Sequence, residues 1–110
     1  MIVIGIDPGL ARVGYGVIAV RNRNPEPVCY GCIESGKDQP ASVRLLHIYT
    51  EVAALFEKYP PAHVAVEKLF FAKNITSAMS VSEARGVILL LAEQQKIPVT
   101  EYTPNQVKQA

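Results

Sequence analysis

Two apolar runs sixty residues apart, each ending abruptly in a carboxylate, constrain this chain more than any other feature. The first is Ile2-Val3-Ile4-Gly5-Ile6, closed by Asp7-Pro8-Gly9; the second is Val64-Ala65-Val66, closed by Glu67-Lys68. Continuous Ile and Val bounded by turn residues predict strands buried on both faces, the kind found inside α/β sheets. Desolvating a carboxylate at the end of such a strand is costly unless something pairs with it. Laid parallel and adjacent, the two strands would hold Asp7 and Glu67 about 5 Å apart. Like charges that close repel, and a divalent cation is the usual remedy, so a metal-dependent phosphoryl-transfer site is the first functional expectation. Each acid alone has a plainer account. Asp before Pro-Gly is a common turn former, and Glu67 beside Lys68 can be a solvated strand end. The pair carries the signal.

At 110 residues the chain has the size of one domain, and 49% hydrophobic residues suffice for a core. A net charge of +1 excludes an overall basic glove for nucleic acid. From Lys68 onward, however, Lys68, Lys73, Arg85, Lys96 and Lys108 outnumber Glu83, Glu93 and Glu101. Cys29 and Cys32 have C-x-x-C spacing, but they lie in an apolar, strand-like run where residues three apart point to opposite faces. With no second cysteine pair and no ligand spacing at His47 or His63, they are expected to be free packing cysteines of a reduced, cytoplasmic protein. Neither a signal peptide nor a membrane span is expected, because the longest apolar runs fall far short of about 20 residues.

Along the chain, Val13–Val20 reads as a second strand, residues 21–26 as a turn, and Val28–Ser35 as a third strand joined in an antiparallel meander. Gly14 and Gly16, two apart, clear one face of the second strand for a close neighbour. Then the period changes. Leu45, Ile48, Tyr49, Val52, Leu55, Phe56 and Tyr59 recur at helical spacing between a start near Asp38 and Pro40 and a stop at Pro60-Pro61. The strand from His63 to Glu67 follows, then a loop to Asn74. A long helix from about Ile75 to Gln95 is apolar over much of its circumference, which calls for wide coverage, by the sheet and by a second subunit. Pro98–Tyr102 reads as a fifth strand and Pro104 as the start of another helix. Right-handed crossovers make strands four and five parallel to strand one, and a five-stranded mixed α/β sheet ordered 3-2-1-4-5 satisfies every link. That order sets Asp7 beside Glu67 at the carboxyl ends, where open α/β sheets bind ligands.

This arrangement resembles the ribonuclease H-like fold, and several motifs resemble those of RuvC-family Holliday junction resolvases. They are Gly5-Ile6-Asp7-Pro8-Gly9 with Gly14-Tyr15-Gly16, Ala65-Val66-Glu67 with Phe70-Phe71-Ala72-Lys73-Asn74, Ala84-Arg85-Gly86, and Tyr102 through Gln109. The resemblance covers nearly the whole chain in order. It implies a Mg2+-dependent, homodimeric endonuclease that nicks four-way DNA junctions symmetrically and works beside a branch-migration motor. Asp7 and Glu67 match two metal-binding, catalytic carboxylates of that family. Phe70 matches an aromatic that stacks on an unpaired base, and Lys73 and Lys108 match positions expected to touch DNA phosphates. The helix beginning near Asn74 matches the family's dimer-forming helix.

One departure accompanies the resemblance. Family members carry two further aspartates on a final helix, and no acid after Glu67 in this chain takes their place: Glu83 and Glu93 fall in the long helix and Glu101 within a strand. The chain is therefore expected to be a fragment, a single ribonuclease H-like domain over residues 1–110 without the family's final helix, and not to cut DNA by itself. Two other functions compete. One is a non-catalytic DNA-binding or dimerisation fragment of such a resolvase, which metal-dependent cleavage would exclude. The other is the N-terminal lobe of an actin-like or sugar-kinase ATPase, whose first strand also ends in Asp-x-Gly. Leu10-Ala11-Arg12-Val13 lacks the hydroxyls such a lobe offers to phosphate.

Overall fold

The computed structural model describes residues 1–68 and 75–102. Its elements are β1 (Ile2–Asp7), β2 (Arg12–Arg21), β3 (Asn24–Glu34), α1 (Ala41–Lys58), β4 (His63–Glu67), α2 (Ile75–Gln94) and β5 (Val99–Tyr102). The strands form one sheet in the order β3-β2-β1-β4-β5, as the sequence predicts. β1 runs antiparallel to β2 and parallel to β4, β2 antiparallel to β3, and β4 parallel to β5.

The main departure from the sequence reading is the hairpin between β2 and β3. The expected six-residue turn is a two-residue one, Asn22-Arg23, with φ of 52° and 66°. Two consecutive left-handed residues make a primed turn whose twist matches the flanking strands, so pairing continues to Arg21 and Asn24. Pro25, expected in the turn, and Pro27, just before the expected strand start at Val28, both belong to β3. They are tolerated because β3 is an edge strand, where a missing N–H breaks no outer ladder. The register shifts between Val17 and Ile18, which pair with Cys29 and Pro27 and leave Val28 as a bulge. Cys29 is partly buried and Cys32 exposed, both free, so the two do point to opposite faces.

α1 starts after Pro40, whose φ of −58° suits a helix entry, and ends at Tyr59 before the Pro60-Pro61 pair. α2 ends with Lys96 in the left-handed region, φ 57°, and the Ile97 N–H donating to the Ala92 carbonyl at 2.9 Å. That closure satisfies end carbonyls and tucks Ile97 into the core.

Both helices pack on one face of the sheet. Ile4, Ile6, Val13, Val17, Val64 and Val66 meet Ile48, Val52 and Phe56 of α1 and Ala84, Ile88, Leu91 and Ala92 of α2, all at 2% exposure or less. Fully burying each larger aliphatic or aromatic side chain contributes about 1.5–3 kcal/mol, so this layer holds the domain together. The opposite face differs from the expectation of strands buried on both sides. Along β1 and β4 burial alternates, and Val3, Gly5, Ala65 and Glu67 are only partly buried. Among the described residues no element covers that face, and continuous apolar runs therefore read as more buried than they are.

Candidate active site

Strand alternation decides which side chains gather on the open face. Ile6 pairs with Val66, so the next residues along, Asp7 and Glu67, stand side by side at the carboxyl ends of two parallel strands about 4.8 Å apart. Glu67 pairs in turn with Tyr102 at the end of β5, where the Lys68 N–H donates to the Tyr102 carbonyl at 2.6 Å. Gly14 pairs with Asp7, and Gly16 with Gly5. A methyl group on Gly14 would lie 3.8 Å from the Asp7 Cβ, and one on Gly5 or Gly16 would meet nothing within 4 Å. The floor beside the two acids is thus backbone without side chains, as the Gly-x-Gly spacing predicts.

Two carboxyls this close do not ionise independently. Partial burial, then a side-chain hydrogen bond with Asp7, then Asp7's charge push the Glu67 carboxyl up to about 7. The same field reaches Tyr102. Burial raises its phenol above the ordinary value, and the charges of Glu67 and Asp7 add to the rise. The sequence reading missed Tyr102; strand register was the signal that could have found it, since the last residue of β5 aligns with the carboxylate ending β4. Among the described residues neither Asp7 nor Glu67 forms an ion pair. Uncompensated negative charge on two hard oxygen donors is a site that suits a divalent cation such as Mg2+, which commonly takes one or two carboxylates. Among the described residues no group of three or more His, Cys, Asp or Glu gathers anywhere.

The other acids are accounted for. Glu83 and Glu93 are exposed on α2. Glu101 points to the helical face and pairs with Arg85, whose role the sequence left unassigned beyond an internal ion pair. Arg85 Nε is buried without a partner among the described residues. The expected DNA-binding residues Phe70, Lys73 and Lys108, and the helix expected from Pro104, lie outside the described residues.

A mixed five-stranded sheet in this order, with two helices on one face and acids at adjacent strand ends on the other, defines the ribonuclease H-like class of α/β domains. A family model described as "Crossover junction endodeoxyribonuclease RuvC" matches residues 3–110. Similar proteins of that name come from Pseudothermotoga lettingae, 46% identical over the whole chain and 68% of its own length, and Desulfitobacterium hafniense, 50% identical over the whole chain and 67% of its own. The solved structure of Thermus thermophilus RuvC in complex with Holliday junction substrate superposes with a TM-score of 0.90 at 34% identity, over 99% of this chain and 70% of that one. The chain belongs to the RuvC family of crossover junction endodeoxyribonucleases, and it spans about two thirds of the length of these relatives.

Proposed function

We propose that this chain carries the nuclease core of a Holliday junction endonuclease, with Asp7 and Glu67 as its first two metal-binding carboxylates. The observation behind this reading is the pair itself: two acids on neighbouring parallel strands, on the open face, neither of them in an ion pair among the described residues. Mg2+ is the ion that fits two hard carboxylates best, and Asp7 and Glu67 would hold it. Bound there, such an ion supplies Lewis-acid polarisation of a phosphoryl oxygen.

The chain's own residues set the rest. Glu67 must give up its proton to bind, so a site titrating near neutrality exchanges a proton for the cation. Gly5, Gly14 and Gly16 leave room for a strand of DNA, or a helix, to approach the sheet closely. Phe70 stacks on an unpaired base at the crossover, a contact tolerant of base identity, and Lys73 and Lys108 hold phosphates. The protein is a cytoplasmic homodimer that works beside a branch-migration motor. α2 is its dimer helix, since Met79 and Leu90 leave 59% and 56% of their surface exposed on a stripe shared with Gly86. No helix among the described residues is long and apolar enough to cross a membrane. Two carboxylates are half the family's set, so residues 1–110 form a ribonuclease H-like domain that needs further acids, of the kind the family carries on its final helix, before it cuts.

The test is a chimera joining these 110 residues to the remaining third of the Pseudothermotoga lettingae protein. With Mg2+ it nicks a labelled four-way junction symmetrically, and Asp7→Asn in the chimera abolishes nicking while leaving binding nearly intact. Cleavage undiminished by Asp7→Asn would refute the assignment.

A further inference from the structure

At the carboxyl end of β1, on the side of the two helices, the chain forms a second feature that the metal chemistry does not use. A cleft of about 420 Å³ lies between the loop Gly9–Arg12, the first turn of α1 at Arg44, and α2 at Ser80 and Val81. Its lining residues include two arginines and no acid. Arg12 is committed only loosely, through an ion pair with Glu34 at 3.0 Å in which both side chains are about two-thirds exposed. Such a pair is worth little in water and yields readily to a better anion.

Arg44 is held in another way. Its Nε donates to Ser35 Oγ at 3.1 Å, and Ser35 Oγ donates to the Leu10 carbonyl. Ser35 is 8% exposed, and its backbone N–H also donates to the Ala11 carbonyl at 3.2 Å. The relay ties a guanidinium on α1 to the loop that directly follows Asp7. One edge of the guanidinium is used by the relay, and among the described residues Arg44 forms no ion pair. The first turn of α1 contains no acid and no side-chain cap, so a cation stands at the positive end of a helix, a placement that favours a bound anion. Gly9 shapes the same loop: a Cβ there would sit 2.5 Å from the Arg12 carbonyl oxygen, too close to exist. The loop is therefore tight, and Gly9 lies within about 7 Å of Asp7 along the chain.

We infer that this cleft seats a backbone phosphate of the DNA strand entering the Asp7–Glu67 site, with Arg44 as its fixed donor and Arg12 as its exchangeable one. The inference rests on the nuclease reading above and adds a substrate contact to it. Successive phosphates advance about 3.4 Å along the axis of a DNA strand. A strand crossing the carboxyl edge of the sheet from the open face to the helical face would meet the carboxylates with one phosphate and the loop, two residues beyond Asp7, with another. A guanidinium already held by one edge loses little freedom on binding and presents its remaining donors in a planar fork suited to phosphate oxygens.

The experiment measures the affinity of the 110-residue chain for a labelled synthetic four-way junction across a salt series without divalent metal, for the wild type, Arg44→Ala, Arg44→Lys and Ser35→Ala. Arg44→Ala is expected to weaken binding about tenfold and to make the plot of log Kd against log salt shallower by about 0.9, the signature of one lost phosphate contact. Arg44→Lys keeps the charge but loses the Nε bond, so it restores the wild-type slope with part of the affinity. Ser35→Ala leaves the slope unchanged and lowers affinity severalfold. A purely structural arginine would lower the melting temperature of the Ala and Lys variants alike and leave both slopes at the wild-type value, which would overturn the inference while junction binding survives. Failure of the wild-type chain to bind the junction at all would overturn the nuclease reading and the inference together.

Discussion

Asp7→Asn should stabilise the metal-free protein at alkaline pH, an unusual outcome for a mutation at a residue proposed to bind metal. A carboxyl moved from 4.5 to about 7 corresponds to roughly 3 kcal/mol of differential interaction, at about 1.4 kcal/mol per pH unit. Burial is the largest single cause and the Asp7 hydrogen bond and charge supply the remainder, which screening at a partly exposed site reduces to about 1 kcal/mol. The sign follows from the direction of the shift. Glu67 holds its proton more tightly folded than unfolded, so its contribution is fully present below about 4.5 and is lost as pH rises through about 7. Removing the Asp7 charge lessens that loss. In EDTA at about pH 8.5, Asp7→Asn should therefore melt about 4 °C above the wild type, with the gap closing by about pH 5. Millimolar Mg2+ should reverse the order, because an ion that binds only the folded wild type stabilises it by mass action. Differential scanning fluorimetry at several pH values, with and without Mg2+, measures all of this. A variant less stable than the wild type at every pH, or one stabilised equally by Mg2+, would refute the reasoning.

Other consequences can be checked separately. Phe70→Ala should slow junction cleavage by the chimera more than it weakens binding, because the proposed stacking would hold the opened crossover rather than capture DNA. Parallel loss of rate and binding with disturbed circular dichroism would make Phe70 a core residue instead. Arg85→Met should destabilise the domain by no more than about 3 kcal/mol, since it leaves the partly exposed Glu101 without its partner, and a double variant with Glu101→Gln should recover part of that loss in chemical denaturation. The unmodified 110-residue chain should bind a four-way junction but leave it uncut in Mg2+. Symmetric nicks that vanish on Glu67→Gln would show that two carboxylates suffice.

Much of this architecture was legible because period and punctuation agree with the fold. The alternation from short-linked strands to long crossovers gives the strand order, and Pro40 and Pro60-Pro61 bracket α1. The register that puts Asp7 beside Glu67 follows from two apolar runs that each end in a carboxylate at the same edge of the sheet. What stayed hidden depends on contacts between distant residues. The Asn22-Arg23 turn lacks the glycine that usually marks two left-handed residues, so β3 read four residues too short at its start. Tyr102 reads as an ordinary strand aromatic until the β4–β5 register sets it against Glu67. Arg44 reads as a solvated helix charge until Ser35, nine residues earlier, ties it to the Leu10 carbonyl. The apolar runs of β1 and β4 also overstate burial, because strand composition does not say which face of a sheet is covered.

The central claim is that Asp7 and Glu67 together hold a divalent ion, and the most direct measurement is anomalous diffraction from crystals of this chain soaked in Mn2+ above pH 7. The predicted result is an anomalous peak within bonding distance, about 2.0–2.3 Å, of an oxygen from each carboxylate, absent from Glu67→Gln crystals treated identically. No peak between the two acids, or one equally strong in Glu67→Gln, would contradict it.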